Sequence, residues 1–492
     1  MIEKSESDAA PDKTAWFDQF WAGTALFCSM YYILTLNSTI LSQIGMPISA
    51  TVLATFLAII IFNITGVLAT GTGLMIAPAV GVSTFIVHFV KAAQVQLPQF
   101  GWGNAMIGCA LAGAGLIWAS FKKKGTFRTQ IIEDLPESVR KGAKAAIGAL
   151  LSFEALEQYK ELTKSGGSID PSFGFGATSI CVAILFAFFL FREKHKKSKA
   201  DPVKKSALRD ASWFFLRIEF ILAAFLMWLL LTAFAPSYMN SLPPHTELSF
   251  LGWKAIAANF DHEFVSVLLT SLVAMMVWFI VITDIPGTPN VVLPKKMQET
   301  FKRAVTWGYV NDAIAALISP LLGASTTIYY AENQILRDFR AYGPFAGAIC
   351  ILWFCVILAL VIFGGMSIER ILPPFAVLPI LLFIGLFIVS ISFLPEPVEV
   401  PGADLADDIK AVTVNAREPG YFLPTAIAVV LTPWIGLEYA FPLSIISYWF
   451  VGSPHLKKTP HDNGHGPTFV NITAGAVVIL GIVTLMHIMT KF

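Results

Sequence analysis

The 492-residue sequence predicts an all-α integral membrane protein of about 14 spanning segments, with one further apolar helix near its C-terminal end. Three observations predict it. Hydrophobic residues make up 55% of the chain and charged residues 14%, against about 25% charged in an average soluble domain. The apolar residues gather into runs near the roughly 20 residues that cross a bilayer as a helix. Two segments about half a chain apart share a run of small residues, "TGTGLMIAPAVGVSTFIV" (70–87) and "ISPLLGASTTIYYAEN" (318–333).

Taken in order, the clear spans are 17–41, 49–70, 104–121, 172–192, 212–235, 264–286, 343–365, 372–394, 421–437 and 468–490. Shorter or interrupted ones lie at 74–92, 136–154, 304–319, 323–338 and 439–452. They group into a tail (1–16), a first seven-segment repeat (17–235), a loop (236–262), a second repeat (263–452) and a tail with the additional apolar helix (453–492). The first residues are polar and acidic, unlike a cleavable signal peptide.

Lys and Arg cluster in 122–128, 192–209, 295–303, 337–340 and 455–458, and are sparse in 42–48, 93–103, 155–171 and 236–262. Basic loops mark the cytoplasmic side, which places the N-terminus in the cytoplasm; a cytoplasmic (inner) membrane is the location expected. The acidic loop 395–419 falls on the same side, and acidic residues weigh little in this rule.

Other classes find no support. The net charge of +1 gives no pointer to nucleic acid or to acidic partners, and no nucleic acid is expected. The five cysteines lie scattered in apolar runs, without metal or disulfide spacing. "HEF" (262–264) lacks a second His one turn on, and no phosphate loop or nucleophile elbow occurs, so neither an enzyme nor a cofactor nor a metal is expected. Asn-X-Ser/Thr matches at Asn37, Asn63 and Asn471 fall in spans or at an edge and read as chance.

Short Gly/Pro-interrupted segments at matching places in two halves point to an inverted-repeat transporter, whose broken helices begin near the bilayer midplane. Tight helix packing explains the small residues equally well. The carboxylates separate the two readings. An ionised group at membrane depth costs roughly 2.5–3.5 kcal/mol and is functional by default. Glu332 lies in the second broken segment, and Asp284 ends "VWFIVITD". Glu219, with Arg217 close by, reads as a local pair, and His88 and Glu369 read as interfacial.

Here the sequence resembles the xanthine/uracil permease superfamily, most closely its adenine/guanine/hypoxanthine permease branch. "AGTALFCSMYYILTLNSTILSQIGMP" (22–47) is similar to that branch's opening helix. "IAPAVGVSTF" (76–85), "TDIPGT" (283–288) and "GASTTIYYAEN" (323–333) resemble its third-, eighth- and tenth-helix motifs, and 422–451 its last two helices. The resemblance implies two inverted seven-segment repeats folded as core and gate domains, with two half-helices at the midplane. It implies that Asp284 and Glu332 bind substrate and couple protons. Tyr330 and Ala331 would lie beside the base, with Gly81, Val82 and Ser83 on the facing half-helix. A homodimer is compatible with it. The sequence departs from the motifs at Ala79, Ser83 and Pro286, and in "NQILRDFRAYG" after Glu332, with Arg337 and Arg340.

A carboxylate accepts hydrogen bonds only, so Glu332 suits the N–H edge of a purine or pyrimidine, through charge-assisted bonds. Proton-coupled nucleobase uptake by alternating access is the function expected, with sodium the other coupling ion and the lipid bilayer the other partner. The alternatives are an anion transporter of the same fold, of sulfate or bicarbonate type, and a transport-inactive membrane binding protein. At Ser83 a hydroxyl replaces the family's amide, so a roomier cavity is expected there, and Ser83→Asn is expected to alter base preference without loss of stability.

Overall fold

The structure is a computed structural model describing residues 13–121, 137–163, 169–198, 219–245, 248–283, 288–293, 302–339 and 341–392, together with 425–427, 429–431, 443 and 447. Among these residues six helices are long and apolar enough to cross a membrane, and three shorter apolar helices accompany them. The expected spans 421–437 and 439–452, the helix 468–490, and Asp284, Pro286 and Arg340 lie wholly or mostly outside the described residues.

The first span is broken. Helix α1 (Lys13–Met30) stops at Tyr31–Tyr32 and α2 (Ile33–Ser42) resumes. Helix α3 (Ile48–Thr70) follows, ended by Gly71 at φ +68°, where a Cβ would be strained. The chain then runs extended as β1 (Ile76–Pro78) into α4 (Val80–Gln94). Helices α5 (Trp102–Phe121), α6 (Glu137–Thr163), α7 (Pro171–Ser198) and α8 (Glu219–Phe234) complete the first half.

The second half repeats this logic. After α9 (Phe264–Thr283) and α10 (Lys302–Leu322), Gly323 at φ +101° stops the helix as Gly71 does. An extended strand β2 (Thr327–Tyr329) leads into a single 3₁₀ turn (Ala331–Asn333) and the short helix α11 (Gln334–Phe339). Helices α12 (Pro344–Phe363) and α13 (Pro374–Ser392) follow. Both interrupted segments expected from the sequence are therefore strand–helix elements. Their strands pair antiparallel, Ile76 with Tyr329 and Pro78 with Thr327.

Backbone polar groups at membrane depth must be satisfied within the protein. Met75 accepts from the Tyr330 N–H and Ala79 donates to Thr326, closing the inner edge of the ribbon. The outer edge turns to Asn63, which accepts from the Ile76 N–H and donates to its carbonyl, both at 2.7 Å. Asn333 holds Met75 in the same two-handed way, at 2.8 Å each. Pro78 directs its backbone away from the partner strand, so its missing N–H costs the ladder nothing.

Helices α1, α2, α3, α5, α9, α10 and α12 pack around this ribbon as one body, while α6, α7, α8 and α13 form a second. They correspond to the core and the gate. Within the gate, α6 and α13 touch backbone to backbone. A Cβ on Gly148 would come 2.7 Å from the Gly385 carbonyl oxygen, and one on Gly385 2.6 Å from that of Gly148. Small residues at such a crossing are how membrane helices gain contact without a hydrophobic driving force. Helix α4 continues directly from β1 and so belongs to the core, at whose edge it lies against α2 on one side and α6 of the gate on the other.

Two boundaries differ from the sequence expectation. Helix α6 runs on to Thr163, past the apolar limit at 154, because "EALEQYKELT" is itself helix-forming. The loop expected at 236–262 contains two short helices, Pro236–Ser241 and Gly252–Ala258.

Candidate functional site

The break in the first span gives the site its first residue. It places Tyr32, which is buried, where its hydroxyl donates to Glu332 Oε1 at 3.3 Å. The same hydroxyl lies against Tyr330. Glu332 itself is partly buried, in the turn that follows β2. Tyr330 lies along the ribbon, its hydroxyl donating to the Pro78 carbonyl at 3.0 Å. The gate approaches the site through Tyr32. Phe220, in the first turn of α8, meets Tyr32 edge-on at 5.7 Å and leads into an aromatic group with Phe383 and Phe186. The Glu332 carboxylate thus meets Tyr32, and Tyr32 in turn links it to Tyr330 of the core and Phe220 of the gate.

At the other end of the ribbon α4 begins. Its N-cap residue Ala79 provides no side-chain cap, and the first-turn N–H groups of a helix have no intrahelical carbonyl to bond. Those groups belong to Val80, Gly81 and Val82, at the positive end of the helix dipole. Val82 is fully buried, and a Cβ on Gly81 would come 2.5 Å from Ile147 of α6. Ser83 is fully buried too. Its hydroxyl is engaged with Asn37 Oδ1 (2.6 Å), Ser325 Oγ (2.8 Å) and the Ala79 carbonyl (3.1 Å), and meets packed protein rather than the expected cavity.

The register decides which expected residues come together. Met75 faces Tyr330 and Ala79 faces Thr326, so Glu332 lies beyond one end of the ribbon and Ser83 beyond the other. Four residue steps separate those ends, about 13 Å. Glu332 and Tyr330 are brought together, and Gly81, Val82 and Ser83 form a separate end. Ala331 lies between Tyr330 and Glu332 in the chain, and Asp284 is outside the described residues.

The chain shares its fold with SLC26A9. That structure superposes with a TM-score of 0.50 at 10% sequence identity, over 89% of this chain and 65% of the other. The transmembrane domain of a cyanobacterium bicarbonate transporter, BicA, gives 0.48 at 15% identity, over 86% of this chain and 98% of that one. In sequence, a 138-residue stretch, 28% of this chain, is 29% identical to the guanine/hypoxanthine permease PbuO of Bacillus subtilis. The match spans 31% of the permease's length. No protein-family model matches.

Several residues of the site were missed in the sequence. Tyr32 and Phe220 sit about 300 and 110 positions from Glu332, and no local pattern joins them. Asn63, read only as a chance glycosylation match, is a buried clamp on β1. Two buried carboxylates, Asp312 on α10 and Glu154 on α6, escaped notice although the cost of burying charge applies equally to them.

Proposed function

We propose that this membrane protein is a secondary active transporter carrying a planar nucleobase by alternating access of core against gate, coupled to protons. One observation carries the reading: a partly buried glutamate, Glu332, at the end of the half-helix ribbon, hydrogen-bonded by Tyr32, which also lies against Tyr330 and meets Phe220 of the gate edge-on. Aromatic walls suit a flat ring, and a carboxylate suits its N–H edge. The partial likeness to a guanine/hypoxanthine permease supports a nucleobase as cargo. Asp284 is the second proposed substrate and proton carboxylate. Tyr330 and Ala331 flank the base, and the first turn of α4 closes the site from the other end of the ribbon through the backbone N–H groups of Gly81 and Val82, with Ser83 fixing that turn from behind.

The test is ligand stabilisation of the purified protein. A ligand at 100 times its Kd stabilises the native state by about 2.7 kcal/mol. Among guanine, hypoxanthine, adenine, xanthine, uracil, sulfate and bicarbonate, a base is expected to raise the Tm of the wild type and to lose this effect with Glu332→Gln. Stabilisation by the anions alone would replace this reading with the anion-transporter alternative. In proteoliposomes, uptake is expected to increase with external acidity and to collapse with a protonophore. A strict requirement for sodium instead would end the proton assignment.

A further inference from the structure

Away from the ribbon, α4 and α6 meet a second time. They run side by side, so the Gly81–Ile147 contact recurs seven residues along each helix as His88 against Glu154. Glu154 is fully buried within the gate. Its Oε1 accepts from Gln158 Nε2 at 2.8 Å and from Gln43 Nε2, which fixes the carboxylate. Its Oε2 is buried without a hydrogen-bond partner and points at His88 Nε2, also without one, 3.6 Å away. That gap is too long for a hydrogen bond. Two ligands sharing one tetrahedral zinc, each about 2.0–2.2 Å from it, stand roughly 3.3–3.6 Å apart. Glu157, one turn beyond Glu154 on the same face, brings a third ligand atom, and all three lie within 4.8 Å of one another.

We propose that His88, Glu154 and Glu157 bind a zinc ion that ties the core to the gate. One imidazole and two carboxylates form a borderline donor set that suits Zn2+ and leaves a fourth position for water. Gln43 and Gln158 orient the buried ligand. Lys91, one turn after His88, is the opposing charge; it donates to Gln43 Oε1, and the two carboxylates outweigh it. Three ligand side chains from two bodies make zinc a latch on whatever motion separates α4 from α6. The latch role rests on the transport reading, whereas the site itself does not.

The experiment titrates the purified full-length protein with Zn2+ and, separately, Mg2+, following thermal unfolding, with Co2+ as a visible-absorbance probe. Zn2+ is expected to raise Tm saturably and Mg2+ to leave it unchanged, while Co2+ gains ligand-field bands. His88→Gln and Glu157→Gln, at a partly exposed and an exposed position, should each weaken zinc by at least about tenfold, and Gln43→Ala by about 10–100-fold. These variants keep the test open if Glu154→Gln fails to fold. A zinc response that is absent, or identical in wild type and His88→Gln, overturns the site. In proteoliposomes zinc should block base uptake by the wild type and spare His88→Gln. Zinc bound at these residues with uptake unaffected overturns the latch. Absence of uptake under every condition overturns the transport reading, and the titration still decides the site.

Discussion

Ser83 shows how a single position changes meaning between sequence and structure. Its hydroxyl joins Asn37 of the first span to Ser325 at the turn before β2, so it ties the two repeats together at the ribbon's end. Ser83→Ala should cost about 1 kcal/mol by leaving Asn37 with one partner fewer. Ser83→Asn forces extra atoms into a filled space and should cost about 1–3 kcal/mol. The check is the Tm of both variants without ligand. An asparagine variant as stable as wild type would restore the cavity expected from the sequence. Glu332 was legible because charge in an apolar run is conspicuous wherever it occurs. Ser83 was not, because a hydroxyl in such a run looks the same whether it faces a cavity, a ligand or another hydroxyl.

Elements were legible where one strong local signal set them. Small residues and a helix-stopping glycine marked both broken segments, and Gly71 and Gly323 carry them out at positive φ. The strand pairing was not legible, since a three-residue strand has too little pattern to announce itself. Helix α7 offers a clean case of a local signal. Asp170 accepts from the Ser172 and Phe173 N–H groups at 2.9 and 3.0 Å, just before Pro171 in the first turn. These bonds, that from the Ser172 hydroxyl foremost, hold its carboxyl below the usual 3.8. The group's folded pKa is depressed, so its contribution is present above the unfolded value and is lost as pH falls through the folded one. Asp170→Ala should therefore lower Tm at neutral pH, and the deficit relative to wild type should shrink as pH falls below about 3.8. A deficit constant across that range would mean that the carboxylate charge plays no part in the cap.

At the scale of the molecule, the inverted repeat was visible in the sequence because its two halves share one local feature. The interface between core and gate was not, because its contacts join residues with no common pattern: Tyr32 with Phe220, Gly81 with Ile147, His88 with Glu154. Alternating access requires that interface to slide. A covalent bridge across it tests the requirement directly. A Cβ at position 81 would lie 3.7 Å from the Cβ of Ile147, close to the mean of about 3.8 Å for a disulfide. In Gly81→Cys/Ile147→Cys the second substitution also removes the Ile147 Cγ2 atom that would crowd a Cβ at 2.5 Å. Cys28, Cys109, Cys181, Cys350 and Cys355 are free and buried or partly buried, so thiol labelling can follow the new pair against a low background. Oxidation is expected to abolish base uptake in proteoliposomes and reductant to restore it, while each single variant is indifferent to both treatments. Position 81 also belongs to the proposed substrate face, so the decisive quantity is the ratio of reduced to oxidised uptake within the double variant, rather than its level against wild type. If labelling shows the bridge closed and uptake continues at the reduced rate, α4 and α6 do not part during transport. The moving boundary would then have to lie elsewhere in the fold.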